Sequence, residues 1–266
     1  KDRNRVLVIQ GPEGEDVQHL SREASFRIME EVAMADVEPY EDEALAESLI
    51  SGELSPAGIE NTREIPDFGA VEWTLENGAK VIFRHAEYEK DQVQLRAYSK
   101  GGSSLYESDY VPSTDMLTSL IGFYGVGEFN ATGLQKMLTG KNVSLQLSLN
   151  SLNEGMNGSA SPKDVETLMQ LVYLHFSKPR FDQEAHQAIM ARYSALVQNM
   201  GNNPQKIMSD SLSLILTDYH PRTRVLDMEF LEEVRLDMIE EVYRDRYSDA
   251  SDYIFVIVGN IEEEEV

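Results

Sequence analysis

Residues 71–85 read VEWTLENGAKVIFRH, and the Asn77-Gly78 pair at their centre constrains the local architecture most. Both residues of a two-residue hairpin turn must take positive φ, which Asn and Gly tolerate, so the flanking apolar runs are predicted to be adjacent antiparallel strands. A third strand is expected at 93–102, VQLRAYSKGG, where the alternation ends in paired glycines. The pattern then turns helical. One helix is predicted at about 114–124, led in by Pro112-Ser113, and a second at about 130–139 with Gly140 placed to stop it. VSLQLSLN and MNGSASP alternate like strands on either side of a turn expected at Asn153-Glu154-Gly155. Helices at about 162–176, 182–200, 204–217 and 235–247 precede a last apolar run, YIFVIVGNI, which reads as a buried strand. Residues 70–261 thus form one complete α+β unit.

The front of the chain does not fit that unit. Val6 to Ile9 is an apolar run closed by Gly11-Pro12, as a short buried strand would be, but no partner strand adjoins it in sequence. It resembles Phe255-Val-Ile-Val-Gly259, the close of the α+β unit. The expectation is therefore that residues 4–11 are the last strand of a preceding, similar unit, and that the chain, which starts at Lys1 rather than Met, is a piece of something longer. SREASFRIMEEVAMA reads as an amphipathic helix, with Ser21 as its cap and Glu23 in its first turn. The Pro-, Gly- and acid-rich stretch after it reads as an extended connector containing a short helix. The organisation expected is 1–68 for the last strand of a preceding repeat plus acidic connector, 69–261 for the α+β domain, and 262–266 for an acidic tail or the start of a further linker.

Charge excludes some functions. With 47 acids against 23 bases the net charge is −24, which argues against phosphate-tracking nucleic-acid binding and against docking on anionic lipid. There is no cysteine, so disulfides, thiolate zinc sites and cysteine nucleophiles are absent. No apolar run reaches the length of a membrane span. Gly125–Phe129, GVGEF, lacks the preceding strand and the lysine of a phosphate loop. Ser103-Ser104 near His85 has no acidic partner for a serine triad.

The hairpin VEWTLENGAKVIFRH, the glycine pair in SKGGSS, the helix start KPRFDQEA, the following GNNP and the closing block YRDRYSDASDYIFVIVGNI together resemble a repeat of the insulinase/pitrilysin-type (inverted zincin) zinc metallopeptidases. The resemblance covers about 70–261. It implies an α+β fold whose mixed, largely antiparallel sheet is packed by helices, as in the processing peptidases. It also implies paired halves around a chamber, joined by a connector that residues 12–68 would supply. The family's active repeat carries H-x-x-E-H on a helix, with two His binding zinc from one helix face, the Glu as general base, and a further Glu downstream as ligand. Aligned from Tyr106-Glu107 to Gly125, that motif falls on Met116-Leu117-Thr118-Ser119-Leu120. Met116 and Leu120 then stand in place of the His pair and Ser119 in place of the Glu. Counted back from Asn203-Pro204, the downstream ligand position falls at Leu196.

The resemblance therefore implies a non-catalytic repeat of the second half. It would hold no zinc itself, the zinc lying in the catalytic half of the same polypeptide, its partner. The repeat would form a chamber wall and a peptide-binding surface, offering a strand edge to extended peptide substrates. The alternative is a free-standing non-catalytic subunit that pairs with a separate zinc-bearing chain. Met116, Leu120 and Leu196 are expected to pack on one another where a metal would have been. The remaining His are not spaced for paired ligation: His186 reads as a surface helix pair with Glu184 or Gln187, and His85 as exposed at a strand end. Tyr219, His220 and Arg222, in the loop YHPR, are the candidate substrate-facing residues. A soluble, extracytoplasmic (periplasmic) location is the favoured expectation.

Overall fold

Seven strands make one sheet: β1 (Ile59–Ile65), β2 (Ala70–Leu75), β3 (Lys80–His85), β4 (Val93–Lys100), β5 (Val143–Leu149), β6 (Asn153–Ala160) and β7 (Ile254–Gly259), ordered β1-β2-β3-β7-β4-β6-β5. All neighbours are antiparallel except β3 and β7, which run parallel in register Lys80↔Ile254 to His85↔Gly259. The computed structural model describes residues 6–11, 19–35, 48–52 and 54–263. The chain divides into two units, Lys1–Ala44 and Leu45–Val266.

The sheet is apolar on one face. On β4, Val93, Leu95, Ala97 and Ser99 are buried and the residues between them exposed, the period-2 signature of a half-covered strand. The buried face carries helices α2 (Val111–Leu120), α4 (Val165–Ser177), α5 (Gln183–Met200) and α8 (Leu236–Tyr247), whose inward residues join one core with Trp73, Phe83, Met156, Phe255 and Ile257. Tyr243, Tyr247 and Tyr253 are fully buried and stack in series, and each hydroxyl donates to a backbone carbonyl: His175, Ser148 and Arg246 respectively. The phenols thus contribute apolar area with no unpaired polar tip. Three further helices, α3 (Ala131–Met137), α6 (Pro204–Leu216) and α7 (Met228–Glu232), complete this unit.

In the first unit, helix α1 (Arg22–Met34) forms as expected, with Ser21 accepting from the Ala24 N–H. Val6–Ile9 forms no strand, and its four side chains are exposed. A buried strand needs neighbours, and none of the described residues pairs with it. The short helix expected in the connector falls on residues 36–47, outside the described residues, as does the tail from 264.

Two readings need correction. The stretch taken as connector through 68 supplies an edge strand, β1, paired with β2 and bulged between Ile59 and Asn61; Leu49 is also buried, beside Val126, Met137, Leu171 and Leu174. All but the last residue of β1 are exposed, so IENTREI carries no apolar alternation to betray it. The turn expected at Asn153-Glu154-Gly155 lies earlier. Asn150 and Asn153 close it, with Ser151-Leu152 between, and Glu154 and Gly155 are strand residues. Glycine here serves close approach rather than turning: a Cβ on Gly155 would lie 2.3 Å from the Ala97 carbonyl oxygen.

The same turn anchors the glycine pair after β4. Gly102, at φ 81°, passes so close that a Cβ would sit 2.4 Å from the Asn150 carbonyl oxygen. Ser103 and Ser104 donate from their N–H groups to Asn150 and Ser151. The Glu154 carboxylate, 2% exposed, accepts from the Gly102 N–H at 2.6 Å and stands 3.6 Å from the Arg246 guanidinium. Glu154→Ala leaves the buried Gly102 N–H without its acceptor and the Arg246 guanidinium with Asp245 as its remaining carboxylate. It should destabilise by about 3 kcal/mol, read as a lower urea midpoint at unchanged slope; an unchanged midpoint contradicts this account of the loop.

Candidate functional site

Helix α2 begins with Pro112 in its first turn and buries Met116, Leu117 and Leu120. They share a core with Ile121 and, from α5, Ile189 and Val197. Helix α5 starts at Asp182, whose carboxylate accepts from the Ala185 N–H and pairs with Arg180; both hold it below the usual carboxylate range. Its inward line runs through His186, Ile189 and Val197. Leu196 is 50% exposed and so does not pack on Met116 and Leu120 as expected. The buried position is one residue on, at Val197, a shift of about 100° around the helix. Ser119 is exposed. A thioether and aliphatic carbons are what these buried positions offer, which does not fit a zinc ion. Among the described residues, no three His, Asp or Glu side chains gather where they could hold a metal.

His186 is also corrected. It is buried, not a surface pair, and its Nδ1 lies 2.8 Å from the hydroxyl of Tyr124, itself fully buried. Burial lowers the imidazole pKa and raises the phenol pKa. His85 is exposed as expected, with Nδ1 against the Ile261 carbonyl oxygen. In the loop after α6, Tyr219 and His220 are exposed, and Tyr219 takes φ 52°. Arg222 is otherwise engaged: its guanidinium donates to the carbonyl oxygens of Ser103, Ser104 and Tyr106, and its N–H to His220 Nδ1. It braces the loop after β4, a role that its place in a polar loop does not reveal.

A cleft of about 410 Å³ lies beside β5. Ile121 and Gly122 at the end of α2, Leu134 and Leu138 of α3 with its following turn, Leu145 and Leu147 of β5, and Leu171 and His175 of α4 line it. β5 is an outer strand, paired with β6 alone. The Asn150 N–H bonds to the Asn153 carbonyl and the Ser161 N–H to the Asn142 carbonyl, so the even-numbered residues of β5 face β6 in the ladder. Val143, Leu145, Leu147 and Leu149 therefore turn their N–H and C=O groups to the open edge. Their side chains are half-buried on the helix side, where the cleft lies.

His175 sits in the last turn of α4. The Tyr243 hydroxyl donates to the His175 carbonyl at 2.9 Å, capping an orphan helix carbonyl, and lies 3.0 Å from His175 Nδ1. A phenol has one proton, so Nδ1 carries the hydrogen and donates to the phenol oxygen. Nε2 is left as an acceptor. Burial pushes the imidazole pKa down to about 4, keeping it neutral at physiological pH.

Two expectations follow. Leu120→Asp places a carboxylate in the core without a partner and should cost about 4 kcal/mol, read by urea unfolding; an unchanged midpoint removes the packing account of α2. A base whose folded pKa lies below its unfolded value takes up protons more readily when unfolded. His175 therefore withdraws stability as pH falls from about 6.5 toward 4. The melting temperature of the protein should drop more steeply over that window than that of His175→Asn, which keeps a donor to Tyr243; parallel curves would contradict it.

No family model matches the chain. Among curated proteins it is 26% identical over 228 residues, 85% of its length, to the zinc protease PQQL-like of Arabidopsis thaliana, of which that match covers 21%. Among solved structures, the periplasmic protease PqqL of Escherichia coli superposes with a TM-score of 0.69 at 20% identity, over 92% of this chain and 27% of that one. The peptidase M16 inactive domain of Pseudomonas fluorescens gives 0.57 at 19% identity, over 74% of this chain and 48% of that one. The chain spans about a fifth of the length of the curated relatives it matches. No helix among the described residues is long and apolar enough to cross a membrane. Sequence likeness to zinc proteases, and a sheet and helix order shared with an inactive M16 peptidase domain, agree with the resemblance to the insulinase/pitrilysin-type zinc peptidases that the sequence motifs carry.

Proposed function

We propose that this chain is the non-catalytic, substrate-facing repeat of a larger zinc metalloendopeptidase, and that it binds extended peptide along the open edge of β5. The catalytic half of the same polypeptide is its partner and holds the zinc and the water it activates. The repeat takes in β1 and Leu49 as well as residues 69–261, and the segment before it joins it to the catalytic half. The assembly works outside the cytoplasm, the location that the name of the Escherichia coli neighbour carries.

The contrast between the two sheet edges carries this reading. β1, IENTREI, bears Glu60, Arg63 and Glu64 along an exposed, bulged strand, the usual protection of an edge against further pairing. β5, VSLQLSL, has no charge, no proline and no bulge. It turns four residues' worth of backbone donors and acceptors outward above an apolar cleft. Such an edge suits strand addition, in which main-chain hydrogen bonds supply affinity whatever the sequence and side-chain pockets supply preference.

The test is binding of a fluorescein-labelled, ten-residue extended peptide to the 266-residue chain, followed by fluorescence polarisation. Saturable binding is expected. N-methylation at alternate residues removes the donors of one peptide edge, so one of the two methylation registers should weaken binding about tenfold or more. Equal binding of the parent and both methylated peptides would overturn the edge-pairing reading.

A further inference from the structure

The cleft beside β5 has a chemical asymmetry that edge pairing alone does not use. Besides Leu145 and Leu147 of β5 itself, four aliphatic side chains wall it: Ile121, Leu134, Leu138 and Leu171. Thr118 also lines it and can donate as well as accept, whereas Ser144 and Gln146 border it from a strand whose even-numbered side chains point to the opposite face. His175 differs, because Tyr243 fixes its proton on Nδ1 and Nε2 has no hydrogen-bond partner among the described residues. Nor is Nε2 a sealed, orphaned atom, since among the described residues the one buried side-chain nitrogen or oxygen without a partner is Arg180 Nε. An imidazole that lines the cleft thus presents an acceptor and no donor.

A strand added beside β5 alternates its side chains between the two faces of the sheet. Those on the helix side fall next to Leu145 and Leu147, over the cleft. We infer that the cleft is a subsite for a tryptophan side chain of the bound peptide, with His175 as the residue that determines the preference. Indole matches the walls on three counts. It is large enough to use a 410 Å³ cleft, its ring is apolar against the four aliphatic side chains, and its one polar group is an N–H that can only donate. Phenylalanine or leucine would leave Nε2 covered and unpaired, and a carboxylate would set a second acceptor against it. The inference rests on peptide binding at the β5 edge, and the experiment separates the two.

Two labelled ten-residue peptides are compared on the 266-residue chain by fluorescence polarisation. They are identical except that one carries tryptophan and the other 3-benzothienylalanine, which has the same shape but sulfur in place of the N–H. The tryptophan peptide should bind about tenfold more tightly. His175→Asn, which can still donate to Tyr243 but cannot reach into the cleft as an acceptor, should bind both peptides equally, at the affinity the parent shows for the sulfur analogue. His175→Gln, whose side-chain oxygen reaches farther, should restore part of the difference. Equal affinities of the parent protein for the two peptides overturn the subsite and leave edge pairing standing, and that comparison needs no variant to fold. A preference that survives in His175→Asn overturns the assignment to His175. Absence of binding by either peptide overturns edge pairing and the subsite together.

Discussion

The sheet depends on where its last strand goes. Hairpin turns link β1 to β2 and β2 to β3, and β4, β6 and β5 form a second three-stranded block, but β3 and β4 are not neighbours. β7 lies between them, parallel to β3 and antiparallel to β4, with Phe255 and Ile257 buried toward the helices. Everything from Ala86 to Tyr253 must therefore be arranged before the two blocks become one sheet. The loop closed by pairing Lys80 with Ile254 spans most of the domain, and such long-range closure is the slow kind. A glycine ends the strand because Val93 passes its Cα: a Cβ on Gly259 would lie 2.7 Å from the Val93 Cα. With the centre of the sheet closed by β7, the free edges are β1 and β5.

The helical layer gains its coherence from apolar residues packed between α2 and α5. Met116 and Leu120 on α2 meet Ile189 and Val197 on α5 in a core that also holds sheet residues. Two imidazoles and two carboxylates in the same space without an ion would be costly to bury. Several polar groups that remain inside are matched: the Tyr124 hydroxyl with His186, Tyr243 with His175, Glu154 with Gly102 and Arg246. Burial alone moves the two imidazoles toward the neutral form.

Much of this was legible in the residues. The hairpin around Asn77-Gly78, where Gly78 alone takes positive φ, the alternation of 93–100, the cap at Ser21 and the closing strand all act locally, and local rules read them. What was missed depends on tertiary placement. β1 shows no alternation because neither of its faces is covered. Gly155 reads as a turn residue unless the proximity of β4 is known. Leu196 and Val197 differ by one position, and the count along the chain cannot say which of two apolar neighbours faces inward. His186 looks like a surface residue among Glu184 and Gln187 until Tyr124, 62 positions earlier, is placed against it. Arg222 reads as a free cation in a loop, whereas three carbonyls some 116 to 119 positions away occupy it.

The unguarded edge is the step that joins fold to function. An outer strand with apolar residues and no charge invites pairing with any extended chain, which is a hazard unless a partner of suitable form is usually present. β1 meets the hazard with charge and a bulge; β5 does neither, although Ser144 and Gln146 show that polar residues are accepted on its outer face. The asymmetry lies in the backbone and the cleft behind it rather than in the solvent-facing side chains. A peptide that pairs there meets main-chain groups that are blind to sequence, and beneath them a cavity that is not. The chemistry of that cavity is set from a distance: Tyr243, on the last helix, caps the end of α4, and in doing so decides which nitrogen of His175 the cleft presents.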